Sequence, residues 1–263
     1  MSGPWAGIVG RVPLSRVAGG YRRWGPRRGR LGLRLVGLLA ALFVLTCDGV
    51  ARPSATLFVF APTFLRPRAV EQTLEGALPT VDVVVFARFA DLVEATSRAR
   101  ADGILALPLS LQQLGREPAL QGVAEGSALE RYVLVRPKDV SGPVSVVAAV
   151  DLVGSGEFPQ YIRRVVGRPR VQRASRVSKV ADLLPVLQFR LADTILIAAR
   201  FLPGLRQRSA MVFRTEEPAI FMERRVAVAF HDAESRARLE PLILQLGPRD
   251  LQILGATGWE AKP

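Results

Sequence analysis

The 263-residue sequence has a single cysteine, Cys47, and a single histidine, His231. One thiol closes no intramolecular disulfide and builds no Cys-based metal site. No Glu or His stands at metal-ligand spacing around His231, so that residue reads as a surface or capping side chain. HExxH, Walker and nucleophile-elbow patterns are missing too, which argues against zinc hydrolysis, P-loop phosphoryl transfer and Ser/His hydrolysis. No cofactor and no resident metal are expected. Acids are absent before Asp48, whereas Arg11, Arg16, Arg22, Arg23, Arg27, Arg28, Arg30 and Arg34 all precede it.

That asymmetry accounts for much of the formal charge of +13; without those eight arginines, 28 basic residues face 23 acidic ones. The remaining arginines are interleaved with acids and form no basic stripe with aromatic partners, so nucleic acid is not an expected partner. Apolar residues make up 49% and charged residues 22%, which excludes wholesale disorder. Leu35–Leu45 is an apolar run, too short for a spanning helix of roughly 20 residues but suited to a signal-peptide core of about 7–15. Gly49-Val50-Ala51 supplies small residues for cleavage after Ala51. Residues 1–51 are therefore expected to be a signal peptide or an N-terminal anchor, and the protein to be periplasmic or otherwise extracytoplasmic. Val44-Leu45-Thr46-Cys47 leaves open a lipoprotein tether through Cys47.

A segment occurs twice. Asp91-Leu92, eight residues, then Ala101-Asp102-Gly103-Ile104-Leu105 is one copy; Asp182-Leu183, eight residues, then Ala192-Asp193-Thr194-Ile195-Leu196 is the other. Each reads as a short helix, a tight Ala-Asp joint and a buried strand. Copies about 90 residues apart are too widely spaced for a solenoid, and they predict two α/β lobes built alike with a cleft between them. Thr56–Phe60, Val81–Phe86, Gly103–Leu107, Val144–Val150 and Thr194–Ala198 are short, apolar runs alternating with helices of about ten residues, the pattern of βαβ units and a parallel sheet buried on both faces. Arg131–Val135 is placed in the first lobe, and the Pro/Gly-punctuated segment Arg136–Pro143 is read as the crossover. The predicted division is 52–138 with 226–263 for lobe 1 and 139–225 for lobe 2.

The order of these elements resembles the type 2 periplasmic-binding-protein family, nearest to the phosphate/phosphonate-type receptors of ABC transporters. Ala101-Asp102 and Ala192-Asp193 sit where that family's helix-to-strand joints would fall, Pro108-Leu109-Ser110 is similar to the loop after the first joint, Gly154-Ser155-Gly156 to the ligand loop of the second lobe, and Leu254–Trp259 to the tail. The resemblance implies a two-lobed α/β fold, each lobe a mostly parallel sheet flanked by helices. It further implies a monomer that closes by hinge motion on a small anionic or polar solute and presents it to the membrane permease of an ABC transporter. One departure weakens the ligand class: Ala61-Pro62, Phe86-Ala87 and Leu107 stand near strand ends where that family places hydroxyls.

Seven residues are the candidate ligand contacts. Gly154, Ser155 and Gly156 lie at a strand-to-helix turn that can aim backbone N–H groups at an anion, or serve only as a tight turn. Thr63 and Ser110 offer hydroxyls, or act as loop and capping residues. Arg88 and Arg200 follow the carboxyl ends of strands, where α/β sheets bind ligands, and suit a carboxylate or phosphate, or are solvated surface charges. Asp102 and Asp193 are read as joint residues bonding backbone N–H groups, with no catalytic role. Besides the solute receptor, two readings stay open: a ligand-sensing or protein-binding accessory protein on the same fold, and an enzyme acting on a small acid, for which an export signal is unfavourable.

Overall fold

A computed structural model describes residues 55–167 and 171–261. Residues 1–51, expected to be a signal peptide or anchor, with Cys47 and the expected cleavage position after Ala51, lie outside the described residues. Among the described residues, no helix is long and apolar enough to cross a membrane.

The chain opens with β1 (Ala55–Phe60), α1 (Pro67–Ala77), β2 (Val81–Val85), α2 (Phe89–Arg98) and β3 (Gly103–Ala106), then α3 (Pro108–Gln113) and β4 (Leu120–Val123). The middle holds β5 (Leu129–Pro137), β6 (Val146–Val150), α4 (Phe158–Val166), β7 (Arg173–Val177), α5 (Leu183–Gln188), β8 (Thr194–Ala198), α6 (Leu202–Gln207), β9 (Phe213–Glu216) and β10 (Met222–Arg224). It returns through β11 (Ala227–Phe230), α7 (Ala233–Leu244), α8 (Pro248–Gln252) and β12 (Gly258–Ala261).

These strands form two mixed sheets, ordered β12-β4-β11-β3-β1-β2 and β10-β5-β8-β6-β7, with β9 also on β5. Each contains a parallel trio, β2-β1-β3 or β7-β6-β8, and each trio is bordered by an antiparallel strand, β11 beside β3 and β5 beside β8. The central strands need cover on both faces because their side chains are apolar in both directions: all of Gly103–Ala106 and all of Thr194–Ala198 are buried. Helices supply that cover, through Val70 and Leu74 of α1, Leu92 of α2, and Tyr161, Ile162 and Val165 of α4.

Arg131–Val135 belongs to the second sheet, a correction to the expected division. Tyr132 pairs with Ala198 and Val135 with Ile195. The reason is that buried β8 has hydrogen-bonding groups on both edges, and β6 occupies only one of them. The chain therefore crosses between sheets at residues 124–128 and returns at 225–226, while 138–143 is a loop within the second lobe, turned by the Val140 N–H donating to Pro137 O at 3.1 Å.

The two Ala-Asp joints are equivalent in detail. Asp102 N–H donates to Thr56 O at 3.0 Å, and Thr56 N–H donates back to Asp102 Oδ2 at 2.8 Å. Asp193 N–H donates to Val146 O at 3.2 Å, and Val146 N–H donates back to Asp193 Oδ2 at 3.0 Å. One aspartate thus clasps the start of the neighbouring parallel strand in each lobe. A carboxylate suits this role because it accepts several N–H bonds at once.

Candidate functional site

The cleft-facing ends of the strands carry most of the seven candidate contacts, and most of these are already engaged. Arg88, at the start of α2, donates from Nε and Nη2 to Asp91 at 2.8 and 2.6 Å and stays exposed. Thr63 Oγ1 accepts from Leu65 N–H at 3.2 Å, beside a cavity of only about 30 Å³. Gly154 adopts φ +83°, and its N–H donates to Asp151 Oδ1 at 2.8 Å, while Ser155 and Gly156 are exposed. Ser110 is fully buried and donates across the lobes to Leu152 O at 2.8 Å.

Arg200 lies beside the two crossings between the sheets, the side of the seam termed the hinge side. Its Nη1 is 3.1 Å from Glu130 Oε2 and donates to Leu254 O at 3.1 Å, and its Nη2 donates to Pro62 O at 3.3 Å. Arg225, on the returning crossover, completes the cluster, with Nη1 3.5 Å from Glu130 Oε1 and 2.6 Å from Gly255 O. Glu130 is 3% exposed; burial pushes its carboxyl above the ordinary glutamate value, against the opposing pull of Arg200 and Arg225. Gly255 has φ +83°, and a Cβ there would overlap the Arg200 guanidinium, so the position admits only glycine. Phe64 and Phe201 meet edge-on at 5.4 Å beside this cluster. The hinge side of the seam is filled.

The opposite side of the seam is open. A cavity of about 280 Å³ lies between Leu109 and Gln112 of α3 and, from the second lobe, Tyr132, Tyr161, Arg164 and Glu223. A second cavity of about 360 Å³ shares Leu109, Gln112, Tyr161 and Arg164 and adds Glu157 and Gln160. None of the seven candidate contacts lines either cavity. The structure brings together a different set.

Local folding explains that set. Tyr161 and Arg164 are three residues apart on α4, the helix that follows the Gly154–Gly156 turn, so both point the same way. Arg164 Cζ lies 5.8 Å from the Tyr161 ring centroid. Tyr161 Oη is buried and has no hydrogen-bond partner among the described residues. Burial pushes both tyrosine hydroxyls well up, with the Glu223 carboxylate adding to the rise at each, so each keeps its proton. Burial likewise raises the Glu223 carboxyl, with Arg164 acting the other way. A buried polar atom without a partner costs free energy unless something binds it. The Tyr161-x-x-Arg164 spacing was present in the sequence; Glu223 carried no local signal there.

No family model matches the sequence, and no curated protein matches it. Among solved structures, the chain is similar to a binding-protein component of a phosphonate ABC transporter from Pseudomonas aeruginosa, with TM-score 0.57 at 12% identity over 80% of this chain and 82% of that one. It is similar to a putative L-cystine ABC transporter protein from Listeria monocytogenes, with TM-score 0.54 at 12% identity over 78% and 97%. It is also similar to the periplasmic VFT2 domain of Bordetella pertussis BvgS, with TM-score 0.53 at 16% identity over 82% and 97%. The structural neighbours are type 2 periplasmic binding proteins, and the chain has their two-lobed α/β fold.

Proposed function

We propose that the chain is an extracytoplasmic solute-binding protein that takes up a small polar solute between its lobes and presents it to the permease of an ABC transporter by hinge closure. The observation that carries this reading is the cavity at the open side of the seam, walled by both lobes and lined in part by Tyr161, whose buried hydroxyl has no partner among the described residues. The likeness to the phosphonate and L-cystine transporter proteins supports a transport role and an exported location. The two crossings at 124–128 and 225–226 are the hinge of this reading, and the Ser110–Leu152 bond is one of the contacts made on closure. A ligand bridging the lobes favours the closed state by its differential affinity for that state.

A thermal-shift screen followed by small-angle scattering tests it. A solute that raises Tm and contracts the radius of gyration is expected, and both responses should disappear in Tyr161→Ala. Solutes that bind without any change in scattering count against hinge closure. The likeness to the VFT2 domain favours a second reading, a ligand-sensing domain working without a permease, which gains if no transporter subunit co-purifies with the chain from membranes.

A further inference from the structure

Resting on the solute-binding reading, we propose that the solute is a zwitterion of the α-amino-acid kind, with its cationic group facing Glu223 and its anionic group facing Arg164. The charges lining the two joined cavities are balanced: Arg164 and Arg224 stand against Glu157 and Glu223. A phosphate or phosphonate needs an excess of positive charge or several inward N–H donors to replace its water. Here the Gly154–Gly156 turn spends the Gly154 N–H on Asp151 and does not line the cavities.

Glu223 decides the sign. Its carboxylate is half-buried and lines the same space as Arg164, yet among the described residues no ion pair joins the two, so each retains capacity for a ligand group. A dianion in that space meets an acid already short of water. An ammonium relieves the same acid, and its carboxylate reaches the guanidinium. Tyr161 lines the same cavity, and its buried, protonated hydroxyl has no acceptor among the described residues. Leu109 and Leu152 leave an apolar wall for a side chain, and the combined space matches small-molecule sites of roughly 300–1,000 Å³.

Calorimetry on the full chain separates the possibilities with three probe classes: the twenty α-amino acids, the matching carboxylic acids lacking the amine, and inorganic phosphate with methylphosphonate. At least one amino acid should bind, with its des-amino partner at least tenfold weaker and phosphate silent. Glu223→Gln should weaken the amino acid at least tenfold and shrink its advantage over the des-amino acid. Arg164→Ala should weaken both. Both side chains reach solvent, so the variants should keep the wild-type Tm within a few degrees, which is measured alongside. Phosphate or methylphosphonate binding that is lost in Arg164→Ala and kept or strengthened in Glu223→Gln overturns the zwitterion and leaves the solute-binding reading intact. Amino-acid binding unchanged in both variants overturns the assigned site. Silence from all three classes overturns both readings together.

Discussion

The two sides of the interlobe seam use the same residue types to opposite ends. On the hinge side, Arg200, Arg225 and Glu130 satisfy one another and the carbonyls of Pro62, Leu254 and Gly255. On the open side, Arg164, Glu223 and Tyr161 line empty space, and the tyrosine hydroxyl has no partner. An arginine next to a carboxylate is therefore no sign of a ligand site by itself. What separates the two sides is whether the hydrogen-bonding capacity is already spent within the protein.

The largest expected effect breaks this comparison from the hinge side. Arg200→Ala leaves Glu130 buried with one cation instead of two, and should cost roughly 3 kcal/mol of stability, read as a lower urea midpoint. Arg164→Ala should move the midpoint very little and instead abolish solute binding. If the two variants exchange these phenotypes, the assignment of hinge and mouth is reversed.

An intermediate effect contrasts a half-buried carboxyl, Asp193, with a buried one, Glu130. Burial alone would raise Asp193, but hydrogen bonds from the Ser145 and Thr194 hydroxyls and from the Val146 and Ser145 N–H groups outweigh it and hold the carboxyl below the ordinary aspartate value. Its folded pKa lies below its unfolded one, so its contribution is complete above the unfolded value and is lost as pH falls through the folded value. Glu130, raised by burial, acts with the opposite sign, and stability from it declines as pH rises from the ordinary glutamate value. Asp193→Ala should cost roughly 1–3 kcal/mol at neutral pH by stranding strand-edge donors, and should flatten the acid limb of a stability-versus-pH curve. An unchanged acid limb would remove Asp193 from the joint.

Arg88→Ala should have the smallest effect. Its pairing with Asp91 is an exposed i,i+3 contact that solvent screens, and it lines neither cavity at the mouth. Wild-type affinity and a midpoint close to wild type are expected by calorimetry and urea titration. A clear loss of affinity would extend the binding surface beyond the cavities described.

The repeated Asp-Leu/Ala-Asp unit was legible because the joint is local: one side chain must hold the start of the adjacent strand, and spacing alone reveals it. The parallel trios followed from the same reasoning. The partner of β5 was not legible, because a strand's own residues do not say which distant edge it will border. The residues of the open-side cavities were not legible for a related reason. The rule that ligands gather at carboxyl ends of strands led to Arg88 and Arg200, but it says nothing of competitors such as Asp91, Leu254 O or Pro62 O that consume those guanidinium groups. Glu223 became visible only once β10 was seen to turn beside α4.

The two crossings also set an order of assembly. The second sheet is built from one continuous stretch, Leu129 to Arg224, whereas the first waits for β11 and β12 from the end of the chain. During synthesis or after translocation, β3 keeps an unpaired edge until the whole of the second lobe has emerged. Exposed edges of this kind are where intermediates associate wrongly. Loop-closure entropy makes the first sheet the slower of the two to complete. The lobe whose strands come first in the sequence is thus the last to finish folding.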